Sequence, residues 1–176
     1  MARLKIDRLG QHGDGVADGP IFVSRTLPGE VVEGDIYGDR LATPKIVEPV
    51  PDRVSPPCPH YKRCGGCNLQ HMRDTTVAVF KRDKVVAALK AHDLTPEVSL
   101  VHTSPPQSRR RASLSGRKTK KGAIVGFHGL QADTLTPVPD CMILTPAIIA
   151  ALPLFEEITR LVGTRKGESP IAVTDT

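Results

Sequence analysis

Cys58-Pro-His-Tyr-Lys-Arg-Cys64-Gly-Gly-Cys67-Asn-Leu-Gln-His71 carries three of the chain's four cysteines within ten residues, and the fourth, Cys141, lies far downstream. A zinc site of four cysteines normally shows two close pairs, each on its own turn, and here one half lacks its pair. Three thiolates from one tight loop and a fourth delivered by the fold is the arrangement of an iron-sulfur cluster. The plant-type ferredoxin spacing, C-x4-C-x2-C with a remote fourth cysteine, is its nearest relative. Gly65 and Gly66 suit such a loop, since residues without a Cβ are expected to let backbone N–H groups turn towards cluster sulfurs.

Upstream, Val50-Pro51-Asp52-Arg53-Val54-Ser55-Pro56-Pro57 reads as a linker, because its prolines oppose both a helix and a strand ladder. Residues 1–50 read as β-structure. Leu4 and Ile6 alternate with polar neighbours, and Asp18-Gly19 predicts a two-residue hairpin turn before Ile21-Phe22-Val23. Leu27-Pro28-Gly29-Glu30 makes another turn, and Val31 to Tyr37 and Leu41 to Val50 supply further strands. Short strands with turns at such close intervals predict a small closed barrel of the OB type, a fold that binds RNA on a shallow basic face. Gly13-Asp14-Gly15-Val-Ala-Asp-Gly19 superficially matches a nucleotide-binding glycine loop. A hairpin follows it where a helix would be required, which excludes a cofactor role.

Downstream of the loop, a helix is expected from Asp74 as its cap to about Ala91, with Val77, Phe80, Val85, Ala88 and Leu89 along one side. From Val98 the pattern turns to strand. Arg109-Arg110-Arg111-Ala-Ser-Leu-Ser115 and Ala123-Ile124-Val125-Gly126-Phe127 form a hairpin, with Arg110 on the face opposite Arg109 and Arg111. His128 is left out of the cluster, as a satisfied polar residue at a strand end. Thr145-Pro146 opens a second helix with an apolar face of Ile148, Ile149, Leu152, Phe155, Ile158 and Leu161, and a kink is expected at Pro153. Pro170 to Thr174 starts a strand for which no partner follows.

The chain has 176 residues and a formal net charge of +5, with four Phe, two Tyr and no Trp, so its cores rest on aliphatic packing and on a bound cluster as a staple. Between Glu97 and Asp133 there is no acidic residue, whereas seven Lys and Arg occur there. Such a concentrated field points to a polyanion, nucleic acid above all. The candidate RNA contacts are Arg109, Arg110, Arg111, Arg117, Lys118, Lys120 and Lys121, among which the planar arginine fork matches phosphate oxygens best. No secretory signal and no membrane-length apolar run is visible, so the chain is expected in the cytoplasm, where cysteines are more often ligands than disulfides. No protein partner is evident.

Taken together, Cys58-x5-Cys64-Gly-Gly-Cys67-x-Leu69-Gln70-His71, Leu27-Pro28-Gly29-Glu30-Val31, Lys81 with Val85, Arg109 to Leu114, and Gly126-Phe127 before Pro139-Asp140-Cys141 resemble the bacterial RNA uracil-5-methyltransferases. The sequence departs from that family's pattern at Asp74 and Val77. The resemblance implies an S-adenosylmethionine-dependent enzyme that methylates carbon 5 of a uridine in 23S ribosomal RNA. It also implies a [4Fe-4S] cluster on Cys58, Cys64, Cys67 and Cys141, and identifies residues 1–50 with a TRAM domain. The expected architecture is therefore α+β: a small OB-like β-barrel over 1–50, a linker over 51–57, and an incomplete α/β central domain over 58–176 that carries the cluster.

In the family a cysteine thiolate adds to C6 of the uracil and a carboxylate later removes the C5 proton, both from a Rossmann-like domain that also seats the methyl donor. The 176 residues contain no fifth cysteine and no strand, glycine loop and helix able to seat that donor, so the catalytic set is expected to be absent and the chain inactive alone. Two other readings stand beside this one: a freestanding zinc-dependent RNA-binding module, and a secreted protein with two disulfides.

Overall fold

In the computed structural model, which describes every residue except Leu100 and Gln131, ten strands and two helices divide between two compact units. The first comprises residues 1–56 and 68–103, and the second residues 57–67 and 104–176. The division differs from one drawn at the prolines. Residues 68–103 belong with the first unit because Arg53 bridges to Met72, Arg73 N–H donates to the Asp52 carbonyl at 2.9 Å, and Val54 N–H donates to the His71 carbonyl at 3.0 Å.

The first unit is built on β1 (Ala2–Leu9), β2 (Gly15–Ala17), β3 (Ile21–Val23), β4 (Val31–Gly34), β5 (Arg40–Leu41) and β6 (Lys45–Glu48). They form one curled six-stranded sheet in the order β5-β3-β2-β1-β4-β6, antiparallel except for the β3 and β5 pair. Alternation along these strands delivers Ile6, Ala17, Val23, Val32 and Leu41 to a common buried cluster. Each large aliphatic side chain so covered contributes about 1.5–3 kcal/mol. The expected hairpin is present, with Ala17 opposite Ile21, but its loop is three residues long, Asp18 to Pro20, with Gly19 at φ +98°. That left-handed conformation is one that glycine adopts without steric cost.

Helix α1 (Asp74–Lys90) follows. Its N-cap is Arg73, so Asp74 sits in the first turn, where its charge complements the helix dipole. No α1 residue is buried, and Val85, assigned by periodicity to the apolar side, is 51% exposed. Phe80, which is on the assigned side, and Val79, which is not, line a cavity of about 490 Å³ together with Leu9, Leu27 and Met72.

The second unit contains β7 (Arg111–Lys118), β8 (Ala123–Gly129), β9 (Ala132–Pro137) and β10 (Ser169–Thr174), an antiparallel sheet in the order β10-β7-β8-β9. The strand expected from Val98 begins only at Arg111; Leu100, inside that expectation, lies outside the described residues. β10 has a partner, upstream rather than downstream: Ile171 pairs with Leu114 and Thr174 with Arg111. Helix α2 (Pro146–Val162) runs through Pro153 and buries Ile148, Leu152 and Thr159. Leu114, Val125 and Leu152 make one core cluster, and Cys64, Val138, Cys141, Leu144 and Ile148 make another.

Candidate functional site: the cysteine loop and the basic hairpin

All four cysteines lie in the second unit, and none is joined in a disulfide. The loop from Cys58 is wound by local turns: Tyr61 N–H donates to the Cys58 carbonyl at 3.1 Å, and the His60 carbonyl accepts from both Arg63 and Cys64, at 2.9 and 2.8 Å. Its second half docks on β8 through Gly65 N–H, which donates to the His128 carbonyl at 2.8 Å, and through a bridge between Cys64 and Gly129.

The two glycines therefore do different work. Gly66 N–H donates to the Cys64 sulfur at 3.3 Å, as expected of a residue facing a thiolate. Gly65 turns away from sulfur, and a Cβ there would meet backbone atoms of His128 and Gly129 at 2.9–3.0 Å. It is small because the loop and β8 approach so closely.

Cys64 and Cys141 share one buried cluster, each 9% exposed. Burial pushes the Cys64 thiol up from its ordinary pKa; the Gly66 N–H opposes this, and the negative charges of Cys67, Cys141 and Cys58 add to it. All three other cysteines thus lie within electrostatic reach of Cys64. Among the described residues, no group of three or more His, Cys, Asp or Glu is assembled as a site for a metal ion. The donor set itself, four thiols with an N–H to sulfur hydrogen bond, suits an iron-sulfur cluster. His60 Nε2 lies 2.5 Å from Asp140 Oδ1, a contact spanning the loop and the residue before Cys141.

The motif's last residues do not join this site. His71 is in the first unit, 1% exposed, beside a buried ion pair that composition does not reveal. Glu30 is fully covered and accepts from Arg53 through Nε and, at 2.7 Å, through Nη2. Leu27 N–H donates to the same carboxylate at 2.8 Å, and Arg53 Nη2 also reaches the Arg25 carbonyl at 2.9 Å. Burial, and next the charge of Arg53, lower the His71 pKa to about 4, against a hydrogen bond that the imidazole donates to the Thr26 backbone carbonyl and the charge of Glu30. The signal available for this network was the pairing of a Pro-Gly-Glu turn with an arginine in a proline-rich segment.

The basic hairpin is present, with its tip closed by Thr119 N–H to the Gly122 carbonyl at 2.8 Å. Arg111 begins β7, whereas Arg109 and Arg110 precede it, so the three do not alternate along one strand as expected. Arg109 instead pairs by its backbone with Ile143 and Thr145, and Arg110 Nε donates to the Asp175 carbonyl at 3.0 Å. Arg117, unlike the rest of the expected set, is ion-paired with Glu168, and it donates to the Asp133 carbonyl at 3.0 Å. Desolvation raises the Glu168 pKa, but Arg117 and His128 outweigh it and hold that carboxylate below its usual range. Among the described residues, Arg109, Arg110, Arg111, Lys118, Lys120 and Lys121 take part in no ion pair. No helix among the described residues is long and apolar enough to cross a membrane.

No protein-family model matches the chain. Individual proteins do. An uncharacterized RNA methyltransferase of Brucella suis is 38% identical over 175 residues, covering 98% of this chain and 42% of that protein. The 23S rRNA (uracil(1939)-C(5))-methyltransferase of Nitrosospira multiformis is 33% identical over 187 residues, with 98% of this chain and 42% of that protein covered. In structure, the chain is similar to the Pyrococcus abyssi tRNA (uracil-54, C5)-methyltransferase, solved in complex with S-adenosyl-L-homocysteine. The TM-score is 0.61 at 26% identity, covering 89% of this chain and 36% of that one. The chain thus spans about two fifths of the length of the curated relatives it matches. Over the stretch that it shares with them, the chain is similar to the RNA uracil-5-methyltransferases.

Proposed function

We propose that these residues recognise RNA and bind a [4Fe-4S] cluster within an S-adenosylmethionine-dependent enzyme of the cytoplasm that makes 5-methyluridine in 23S ribosomal RNA. In this reading the first unit is a TRAM-type module and the basic hairpin of the second takes phosphate. The observation that carries it is the hairpin: among the described residues, six of the seven cations expected to meet RNA have no carboxylate against them, although the chain holds 19 Asp and Glu. Cations left unpaired keep their full attraction for a polyanion, and phosphate contacts position an RNA before any base is read.

The ligands of the cluster would be Cys58, Cys64, Cys67 and Cys141. When bound, a [4Fe-4S] cluster supplies an inorganic cross-link among its thiolates, here between the loop and the turn at Cys141. The Gly66 N–H stabilises thiolate charge at Cys64, and Leu144, Ile148 and Val138 exclude water from its buried side. With all four cysteines so engaged, none remains to add to C6 of uracil, so the 176-residue polypeptide by itself transfers no methyl group.

The test is to purify the polypeptide anaerobically and measure iron, acid-labile sulfide and zinc together with binding to structured ribosomal RNA. Iron with sulfide, RNA binding that weakens with salt, and no methyl transfer are the expected results. One zinc without sulfide would replace the reading with a zinc-dependent RNA-binding module, and absence of RNA binding would remove it.

A further inference from the structure

We infer that His60 and Asp140 form a clasp that sets Cys141 against the three-cysteine loop, making both of them positioning residues for the cluster. The inference rests on the cluster reading above and adds two residues to it that are not ligands.

The argument is one of tethers. The loop's second half is tied to β8 by Gly65 and Cys64, but Cys141 lies on a different segment, the turn after β9, where Cys141 N–H donates to the Val138 carbonyl at 3.2 Å. His60 crosses between the two. Its ring Nε2 lies 2.5 Å from Asp140 Oδ1, its side chain is only 16% exposed, and its own carbonyl holds the backbone N–H groups of Arg63 and Cys64. One residue therefore fixes the turn into Cys64 with its backbone and the approach of Cys141 with its side chain. A hydrogen bond in full solvent contributes little, but this one has its imidazole largely covered and joins residues 80 apart, so its loss frees a segment. Groups that orient metal ligands from outside the ligand set commonly change metal retention by about 10–100-fold when removed.

The experiment uses the whole chain, reconstituted anaerobically with ferrous iron and sulfide, and compares His60→Ala, Asp140→Ala, the double variant and Asp140→Asn. The first readout is the rate at which an iron chelator strips the protein, and thermal melting confirms that each variant is folded. His60→Ala and Asp140→Ala are each expected to lose iron about tenfold faster. The double variant should be no worse than either single one, because both ends belong to one contact. Asp140→Asn keeps an oxygen acceptor for the ring N–H and should restore most of the retention.

The second readout needs no metal: alkylation of Cys141 in the iron-free chain, followed by mass spectrometry, should accelerate in both alanine variants and return towards wild type with Asp140→Asn. Unchanged iron loss and alkylation in the alanine variants would overturn the clasp, as would multiplying effects in the double variant. If the wild-type chain takes up no iron and sulfide, the cluster reading fails, and alkylation still decides whether His60 and Asp140 hold Cys141 in place.

Discussion

Glu30 and Arg53 meet through two nitrogens of one guanidinium, with the carboxylate wholly covered and the arginine joining the start of the chain's proline-rich segment to the turn before β4. A buried charge keeps its ionised form only while its partner and hydrogen bonds are present. Arg53→Met is therefore expected to cost about 3–5 kcal/mol by urea denaturation, since it leaves Glu30 uncompensated. The double variant Glu30→Leu with Arg53→Met should recover most of that loss, because no charge then remains to desolvate. Equal destabilisation of the single and double variants would contradict this account.

His71 makes stability depend on pH in a defined window. The folded imidazole protonates only near pH 4, against 6.5 for the ordinary side chain. Between those values the unfolded chain binds more protons, so its contribution is complete above pH 6.5 and is lost as pH falls towards 4. Arg53 and Arg25 oppose protonation and Glu30 favours it, with burial the largest effect. The shift corresponds to on the order of 3 kcal/mol across the window. Urea midpoints of wild type and His71→Asn at pH 8, 6 and 4.5 should diverge in slope, with the wild type losing more on acidification; parallel slopes would contradict the assignment.

Gly65→Ala and Gly66→Ala should separate sharply. A Cβ on Gly65 would meet backbone atoms of β8 at 2.9–3.0 Å, which no rotamer change relieves, so about 1–3 kcal/mol of stability should be lost. On Gly66 the nearest atoms, the Cys64 sulfur and the Phe127 ring, lie at 3.4–3.6 Å, in ordinary contact, and melting should change little. Comparable thermal shifts in the two variants would refute the distinction.

The salt dependence of RNA binding should respond to which arginines are already paired. Replacing Arg109, Arg110 and Arg111 by Gln is expected to flatten the slope of log affinity against log salt by roughly 0.7–0.9 for each phosphate contact removed. Arg117→Gln should change it little, because Glu168 already occupies that guanidinium. A larger effect from Arg117 than from the triple variant would reverse the proposed placement of phosphate.

Local signals were readable wherever a neighbour in sequence decided the outcome. The turn at Gly19, the hairpin of β7 and β8, and the proline-led start of α2 each rest on residues a few positions apart. What failed to show was set by distant pairing. The partner of β10 is β7, and nothing in residues 170–174 specifies Leu114 over another strand. His71 lies four positions after the last cysteine of the loop in sequence, yet the groups that act on it are Thr26, Glu30 and Arg53 of the first unit. Arg117 looked like its basic neighbours until Glu168, more than fifty residues later, was found against it. The apolar side assigned to α1 illustrates the opposite error, since periodicity alone does not supply a surface to cover it.

The pairing of β10 with β7 also orders events during translation. Residues 57–67 leave the ribosome well before Ser169–Thr174, the strand that completes the sheet on which their loop docks. At about 5–20 residues per second, three nascent thiols wait for roughly 5–20 s before that scaffold can close. During that interval they are chemically naked, with no tertiary structure to shield them.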